Sequence, residues 1–120
     1  MGAELMANTY IDTNRIPRQK VAGAGETAEI LNNALAGAKN VVGKLHWLGR
    51  GDAIDARSDA NTHQLLYLME GEGTITLASK NHQVGKGNGI YLGPSESARI
   101  AQRGSTTLKV LHLIVPKVGA

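Results

Sequence analysis

Short apolar segments alternate with turn-forming residues along most of this chain, and that alternation constrains its fold more than any other feature. The clearest segments are residues 41–48, 62–69, 74–78, 89–92 and 106–115, which are rich in Val, Ile, Leu and Tyr. We expect the segment at 74–78 to return as the hairpin partner of 62–69. About eight to ten short strands, with turns roughly every 8–12 residues, are typical of an all-β sandwich or barrel.

Length and composition restrict the classes of protein to which the chain can belong. Its 120 residues fit one domain with one hydrophobic core. It contains no Cys, which excludes disulfides, thiolate chemistry and cysteine-based zinc sites. The formal net charge is only +3, and the basic residues are scattered along the chain. This distribution, together with 3% aromatic residues and no Phe, argues against nucleic-acid binding.

The apolar segments and the N-terminal region bear on where the protein works. No apolar stretch approaches the roughly 20 residues that a helix needs to span a bilayer, so we expect no membrane partner. Residues 1–14 lack a basic region followed by an apolar one, which argues against a signal peptide. We therefore expect a soluble cytoplasmic protein that forms a single domain over residues 1–120, with residues 1–9 flexible.

The glycine spacing within residues 51–102 resembles two motifs of the cupin family. The first family motif is Gly, five residues, His-x-His, three or four residues, Glu, six residues and Gly. Gly51 and Gly71 take its two glycine positions. The second motif is Gly, five residues, Pro-x-Gly, two residues, His, three residues and Asn, and Gly87 takes its first position. The resemblance implies an all-β fold, the double-stranded β-helix (jelly-roll) sandwich or barrel of a small single-domain cupin.

The residues at the family's metal-ligand positions depart from the motifs. Arg57 and Asp59 fall on the two histidines of the first motif, and Gln64 falls on its Glu. Ala98 falls on the His of the second motif. Cupins commonly bind Fe, Mn, Ni or Zn through these side chains, but guanidinium has no free lone pair and alanine has no donor atom. The resemblance therefore implies a retained pocket without a metal, and we expect no cofactor.

Four residues are candidates for holding a substrate. Arg57 would point into the pocket mouth and bind a carboxylate or enolate, or it would be an ordinary solvated arginine. Asp59 would pair with Arg57, act as a base or cap a turn. Gln64 would face inward and orient the substrate. Tyr91 would donate a proton, although tyrosines in strands more often have a packing role.

Three histidines are candidates for moving a proton, because an imidazole with a pKa near 6.5 is a natural general acid or base. Alternation within residues 106–115 places His112 inside the fold. His46 shares a strand face with Lys44, which favours an outward position, although a polar pocket would also accommodate it. His63 faces outward if Gln64 faces inward, unless the strand is bulged.

Two hypotheses from different classes follow. The first is a metal-independent enzyme that applies acid–base chemistry to a small anionic organic molecule, as an isomerase, epimerase, cyclase or dehydratase. In it, His112 or His46 moves the proton and Arg57 holds the anion. The second is a non-catalytic small-molecule-binding or sensor protein. A further alternative is a metal-dependent oxygenase that uses His46, His63 or His112 as ligands. The outward faces of residues 62–69 and 106–115 are too apolar for a solvated sheet, so the other sheet, the N-terminal segment or a second subunit would cover them. The resemblance to cupins, which are often dimers, implies a homodimer.

Overall fold

A computed structural model describes residues 12–31 and 41–116, which form ten β-strands. The strands are β1 (Gln19–Lys20), β2 (Glu26–Leu31), β3 (Val42–Leu48), β4 (Ala53–Arg57), β5 (Thr62–Glu70), β6 (Glu72–Leu77), β7 (Lys80–Gly85), β8 (Gly89–Leu92), β9 (Ser97–Arg103) and β10 (Leu108–Pro116). In the part of the chain that the structure describes, no helix is long and apolar enough to cross a membrane. The segment predicted to be flexible, residues 1–9, lies outside the described residues.

The strands form two antiparallel sheets. The six-stranded sheet has the order β1-β2-β3-β10-β5-β8, and the four-stranded sheet has the order β4-β9-β6-β7. From β3 onward, most strands that follow one another in the chain lie in different sheets, so the chain passes repeatedly between the two layers. This arrangement confirms the predicted all-β jelly-roll fold.

The turn after β5 carries the chain from one sheet to the other. The prediction that residues 74–78 pair with residues 62–69 as a hairpin is wrong, because β6 pairs with β7 and β9 while β5 pairs with β8 and β10. Gly71 lies at this passage with a backbone φ of +86°, a conformation that residues other than glycine rarely adopt. A Cβ at Gly71 would lie 2.6 Å from the carbonyl oxygen of Thr107. The passage therefore requires glycine for two separate reasons.

The hydrophobic core lies between the sheets and is formed by the inward half of each alternating strand. In β5, for example, Leu66 and Leu68 are buried, whereas Leu65 and Tyr67 are exposed. The buried apolar cluster comprises Leu48, Ile54, Ala56, Leu66, Leu68, Ile75, Ile90, Leu92, Ala98, Ile100, Leu108 and Val110. Because β3, β10 and β5 lie side by side, polar residues at their inward positions are brought together next to this core.

Strand β4 is an edge strand of the four-stranded sheet that the sequence did not predict. It pairs with β9 over its whole length. Ile54 and Ala56 point into the core, and Asp55 and Arg57 are exposed. The orientation of this strand decides which residues of the first motif face the interior.

Candidate active site

Three neighbouring strands of the six-stranded sheet place polar side chains on its inner face. His46 lies on β3, His112 on β10 and Gln64 on β5, and β10 is the middle strand of the three. The cross-strand partner of His46 is Val110, and that of Gln64 is Ile114, so each is displaced by two residues from His112. Diagonal neighbours of this kind are within reach of long or aromatic side chains.

These side chains form a buried hydrogen-bonded chain that ends at Ser58, which we term the histidine relay. Nε2 of His46 lies 3.0 Å from Nδ1 of His112, and Nε2 of His112 lies 2.6 Å from Oε1 of Gln64. Nε2 of Gln64 donates to Oγ of Ser58 over 3.1 Å. All four residues are buried, from 9% exposure at His46 to 2% at Ser58. The relay thus extends from near the protein surface to the deep interior.

A cavity of about 570 Å³ opens beside the two histidines. Cavities of roughly 300–1,000 Å³ are usual for small-molecule sites. His46, His112 and Lys44 line it from the inner face of the six-stranded sheet, and the ion pair of Asp55 and Arg99, whose side chains are 72% and 55% exposed, borders it from the four-stranded sheet. Most of the remaining lining is small and apolar and comes from residues 21–24, 53 and 54. The polar groups are therefore few and concentrated on two sides of one space.

Three charged side chains lie among the lining residues of the cavity. The guanidinium of Arg99 donates to both carboxylate oxygens of Asp55, over 3.1 and 2.9 Å, so these two charges compensate each other. Lys44 is half-buried and is the cross-strand partner of His112 on one side and of Glu29 on the other. With the histidines neutral, the lining residues Lys44, Arg99 and Asp55 together carry one net positive charge.

Burial keeps both histidines neutral near pH 7. Desolvation, assisted by the charge of Lys44, lowers the pKa of His46 from 6.5 to about 4. Desolvation also lowers the pKa of His112 to about 4, with smaller effects from His46 and Lys44. A neutral imidazole carries one N–H and one lone pair, so each ring can both donate and accept a hydrogen bond. This is the protonation state that a general base requires.

The donor set does not fit a metal site of the cupin type. Ala98 is buried at its motif position but has no donor atom, and the Gln64 oxygen is already bonded to His112. Among residues 12–31 and 41–116, no three His, Cys, Asp or Glu side chains converge. Two imidazoles bonded to each other leave too few free donors for Fe, Mn, Ni or Zn. The residues present therefore do not fit a metal ion.

At the two histidine positions of the first motif, the structure supports a solvated Arg57 and a turn-capping Asp59, and it contradicts the expectation that Arg57 points into the pocket, whereas Gln64 faces inward as expected. Arg57 and Asp59 are both exposed, and Ser58 between them is buried. Oδ1 of Asp59 accepts hydrogen bonds from Oγ1 of Thr62 and from the backbone N of Asn61, at 2.6 and 2.8 Å. These bonds, that of Thr62 first, lower the pKa of Asp59. Asp59 therefore caps a turn, and Arg57 is not part of the cavity lining.

His63 and Tyr91 lie on the outer face of the six-stranded sheet, away from the relay. Nδ1 of His63 lies 2.5 Å from the hydroxyl of Tyr91, which is 60% exposed. The pairing of β5 with β8 is regular at this point, so no bulge turns His63 inward. The expectation that His63 and Tyr91 contribute to the cavity is therefore corrected: strand alternation places both on the opposite face.

Two residues of the site, Lys44 and Ser58, were missed in the sequence. Lys44 was interpreted as marking a solvated outer face, whereas it lies on the inner face beside the cavity. Lys44 and His46 were correctly placed on one strand face, and the error was to take that face as the outer one. Ser58 gave no comparable signal, since motif spacing alone does not decide which of three consecutive residues points inward.

Comparison with known proteins defines the fold. No protein-family model matches the sequence, and no curated protein matches it. The structure is similar to a predicted oxalate decarboxylase from Thermotoga maritima, with a TM-score of 0.79 and 19% identity over 90% of this chain and 99% of that one.

Two further solved structures are similar over most of their length. The polyketide cyclase RemF from Streptomyces resistomycificus has a TM-score of 0.73 and 13% identity, over 95% of this chain and 88% of that one. An RmlC-like cupin from Shewanella frigidimarina has a TM-score of 0.72 and 12% identity, over 92% of each chain. Identities this low show a shared fold alone. The chain therefore has the cupin fold, with a buried histidine relay inside it.

Proposed function

We propose that this protein is a metal-independent enzyme that moves a proton within a small anionic organic molecule, in a reaction of the isomerase, cyclase, epimerase or dehydratase type. The observation that carries the proposal is the hydrogen bond between two buried, neutral histidines in the wall of a cavity. Burying polar side chains next to an apolar core costs free energy unless every group is paired. A relay whose side chains pair with one another and that also borders a cavity supports a chemical role.

A neutral imidazole in the cavity wall would accept a proton from a weakly acidic C–H group of the substrate. The electron pair of the broken C–H bond stays on the substrate as an enolate. The positive charge gained by the histidine pair is stabilised by the Gln64 oxygen, which accepts a hydrogen bond from His112. Return of the proton to another atom of the substrate would complete an isomerisation or a cyclisation.

Lys44 would hold the anionic group of the substrate. It lies on the same inner face as His46 and lines the same cavity. Among the lining residues, Asp55 compensates the charge of Arg99 and Lys44 supplies the remaining positive charge, while Glu29, the cross-strand partner of Lys44 on β2, lies outside the lining. This is the role that the sequence suggested for Arg57, transferred to a residue that reaches the cavity.

The structural neighbours support the proposal at the level of reaction class. One of them is a polyketide cyclase, so this fold can accommodate a cyclisation. A non-catalytic binding protein would use the same cavity without needing the relay. The two functions are separated by asking whether loss of the relay removes turnover or leaves only binding behind.

A generic carbon acid tests the proposal without knowledge of the substrate. 5-Nitrobenzisoxazole opens to a coloured cyanophenolate when a base removes its ring C–H proton. We expect the protein to accelerate this opening, and we expect His46→Ala and His112→Ala to lower the rate at least tenfold, since positioned bases contribute roughly 10²–10⁴-fold. His63→Ala and His82→Ala are matched controls, because neither histidine lines the cavity. Equal rates for all four variants and the wild type would refute the proposal that the histidine relay acts as a catalytic base.

The absence of a metal is tested separately. Elemental analysis of the purified, dialysed protein should find no stoichiometric Fe, Mn, Ni or Zn. A metal that survives dialysis and is lost in His46→Ala would establish the metal-dependent alternative instead.

We further propose a cytoplasmic homodimer formed through the outer face of the six-stranded sheet. On this face, Leu65 pairs across strands with Tyr91 and Leu113, and Tyr67 pairs with Leu111. Leu65, Tyr67 and Tyr91 are 41%, 40% and 60% exposed. A contiguous apolar surface of this kind is a common site of association between protein chains.

A further inference from the structure

The two histidines of the relay are not equivalent with respect to the cavity. Both ring nitrogens of His112 are used within the relay, Nδ1 by His46 and Nε2 by Gln64. His112 therefore has no lone pair left for a substrate. His46 uses only Nε2, and its Nδ1 has no partner among the described side chains.

Nδ1 of His46 is also not sealed inside the core. Among residues 12–31 and 41–116, Nε of Arg103 is the one buried side-chain N or O atom that lacks a hydrogen-bond partner. The unbonded Nδ1 of His46 is absent from that class, so it has access to solvent. Because His46 lines the cavity, the cavity is where this nitrogen becomes accessible.

The distances within the relay indicate which atom donates and which atom accepts in each hydrogen bond, and this order is the direction of the relay. The separation of 2.6 Å between His112 Nε2 and the Gln64 amide is short for an N–H donating to an oxygen and is too short for a contact between two nitrogens. The amide oxygen therefore faces His112, and the amide N–H faces Ser58. It follows that His112 carries its proton on Nε2 and has its lone pair on Nδ1.

The donor and acceptor roles at His112 also determine those at the ring of His46. Since Nδ1 of His112 accepts, Nε2 of His46 must donate, and the lone pair of His46 is on Nδ1. Lys44 lines the cavity beside His46, and its positive charge favours a lone pair over an N–H at this end of the relay.

We infer that the relay has a fixed direction, in which Nδ1 of His46 is the base that faces the substrate and Gln64 is the positioning residue that sets that direction. The inference rests on the proposed function and assigns its atoms. Nδ1 of His46 takes the substrate proton while the electron pair of the C–H bond remains on the substrate. The Nε2 proton of His46 then moves to Nδ1 of His112, and the reverse movement returns a proton to the substrate. His112 thus shares the charge without touching the substrate.

The tautomers of the two histidines test this direction independently of any activity. Long-range ¹H–¹⁵N correlation spectra of the ¹⁵N-labelled protein at pH 7 distinguish a protonated from an unprotonated ring nitrogen. His46→Gln and His112→Gln assign the signals. We expect both rings to be protonated on Nε2 alone. Protonation of His46 on Nδ1 would overturn the inference.

Variants of Gln64 test its positioning role. Gln64→Leu removes the acceptor, so we expect His112 to show both tautomers and the benzisoxazole rate to fall at least tenfold. Gln64→Glu keeps the shape and supplies a carboxylate, so we expect the acid limb of the pH–rate profile to move upward by about 1–3 units. Gln83→Leu, at an exposed glutamine on β7, is the matched control and should change neither readout.

The outcomes separate this inference from the proposed function. If both histidines are protonated on Nε2 but the protein does not accelerate opening of the benzisoxazole, the proposed enzymatic function is refuted and the direction of the relay is established. Acceleration that depends on His46, combined with an unchanged pH–rate profile in Gln64→Glu and a single His112 tautomer in Gln64→Leu, would refute the role of Gln64.

Discussion

His46 and His112 lie on neighbouring strands, displaced by two residues in register, and their ring nitrogens are joined by a hydrogen bond of 3.0 Å. The ring centroids are 5.2 Å apart and the rings are tilted by 37°, so the contact is made edge to edge through the nitrogens. Two imidazoles coupled in this way titrate as one unit. Their shared titration connects the chemistry of the cavity to the stability of the fold.

Stability should fall as the pH drops below 6.5. The pKa of each histidine is 6.5 in the unfolded chain and about 4 in the folded protein. Between these two pH values the unfolded state binds more protons than the folded state, so lowering the pH favours unfolding. At about 1.4 kcal/mol per pKa unit, a difference of 2.5 units is worth roughly 3 kcal/mol for the first ring to titrate. Above pH 6.5 this contribution is constant. Urea unfolding between pH 5 and 8 measures the slope.

The double variant His46→Gln, His112→Gln is the control for that slope. Its stability should be nearly independent of pH between 5 and 8, whereas His63→Ala should retain the slope of the wild type. A wild-type protein that is equally stable at pH 5 and pH 8 would contradict the burial of two neutral histidines.

Replacing Lys44 should weaken anion binding and make the histidines easier to protonate. The positive charge of Lys44 contributes to the lowered pKa of both rings, so Lys44→Met should raise both pKa values toward 6.5. With benzoate as the probe, we expect the affinity to fall about tenfold, which corresponds to one charge-assisted hydrogen bond. Arg57→Met removes an equal charge outside the cavity and should have neither effect. NMR titrations measure the pKa values of the histidines and the affinity for benzoate. If Lys44→Met and Arg57→Met gave the same values, Lys44 would have no particular role in anion binding.

Gly71→Ala should destabilise the fold more than Gly87→Ala. Both glycines have positive φ, +86° and +91°, so both variants carry the backbone strain of about 1–2 kcal/mol. At Gly71 the added methyl group would also lie 2.6 Å from the Thr107 carbonyl oxygen, whereas at Gly87 nothing lies within 4 Å. Urea unfolding of the two variants gives the difference. Equal losses would mean that the β5–β6 passage relaxes to admit a side chain.

Tyr67→Glu should convert the proposed dimer to a monomer. Tyr67 lies within the exposed apolar outer face of the six-stranded sheet, and a carboxylate there would be buried without a partner in the interface. His82→Glu, exposed on β7 of the other sheet, is the control and should remain a dimer. Light scattering during size-exclusion chromatography gives the mass, and a monomeric wild type would rule out the dimer.

The sequence predicted the parts of this structure that follow from local alternation. Alternation placed Gln64 and His112 inside and His63 outside once the strands were recognised, and the glycine spacing indicated the jelly roll. It did not predict that β6 leaves the sheet of β5, because a Gly-containing turn between two apolar segments is equally compatible with a hairpin.

The candidate site was less accessible to prediction than the fold. Shifting a strand by one residue exchanges its two faces, and spacing between glycines does not resolve such a shift. Arg57 was therefore expected at the pocket mouth, whereas the inward-facing residue of this segment is Ser58. Lys44 was misjudged because a lysine within a strand usually marks solvent, whereas the inner face of a cavity-bearing sheet also provides a polar surface.

The position of Ser58 gives the relay a second consequence. Ser58 follows β4 of the four-stranded sheet, and the other three members of the relay belong to the six-stranded sheet. The relay is thus a polar tie between two layers that share an apolar core. If one layer slides over the other by a single residue, the hydrogen bond between Gln64 and Ser58 breaks and the amide of Gln64 is free to rotate. The relay would then no longer have a fixed direction of proton transfer. Catalytic competence would then report on the alignment of the layers, and it would be lost while most of the core is still packed.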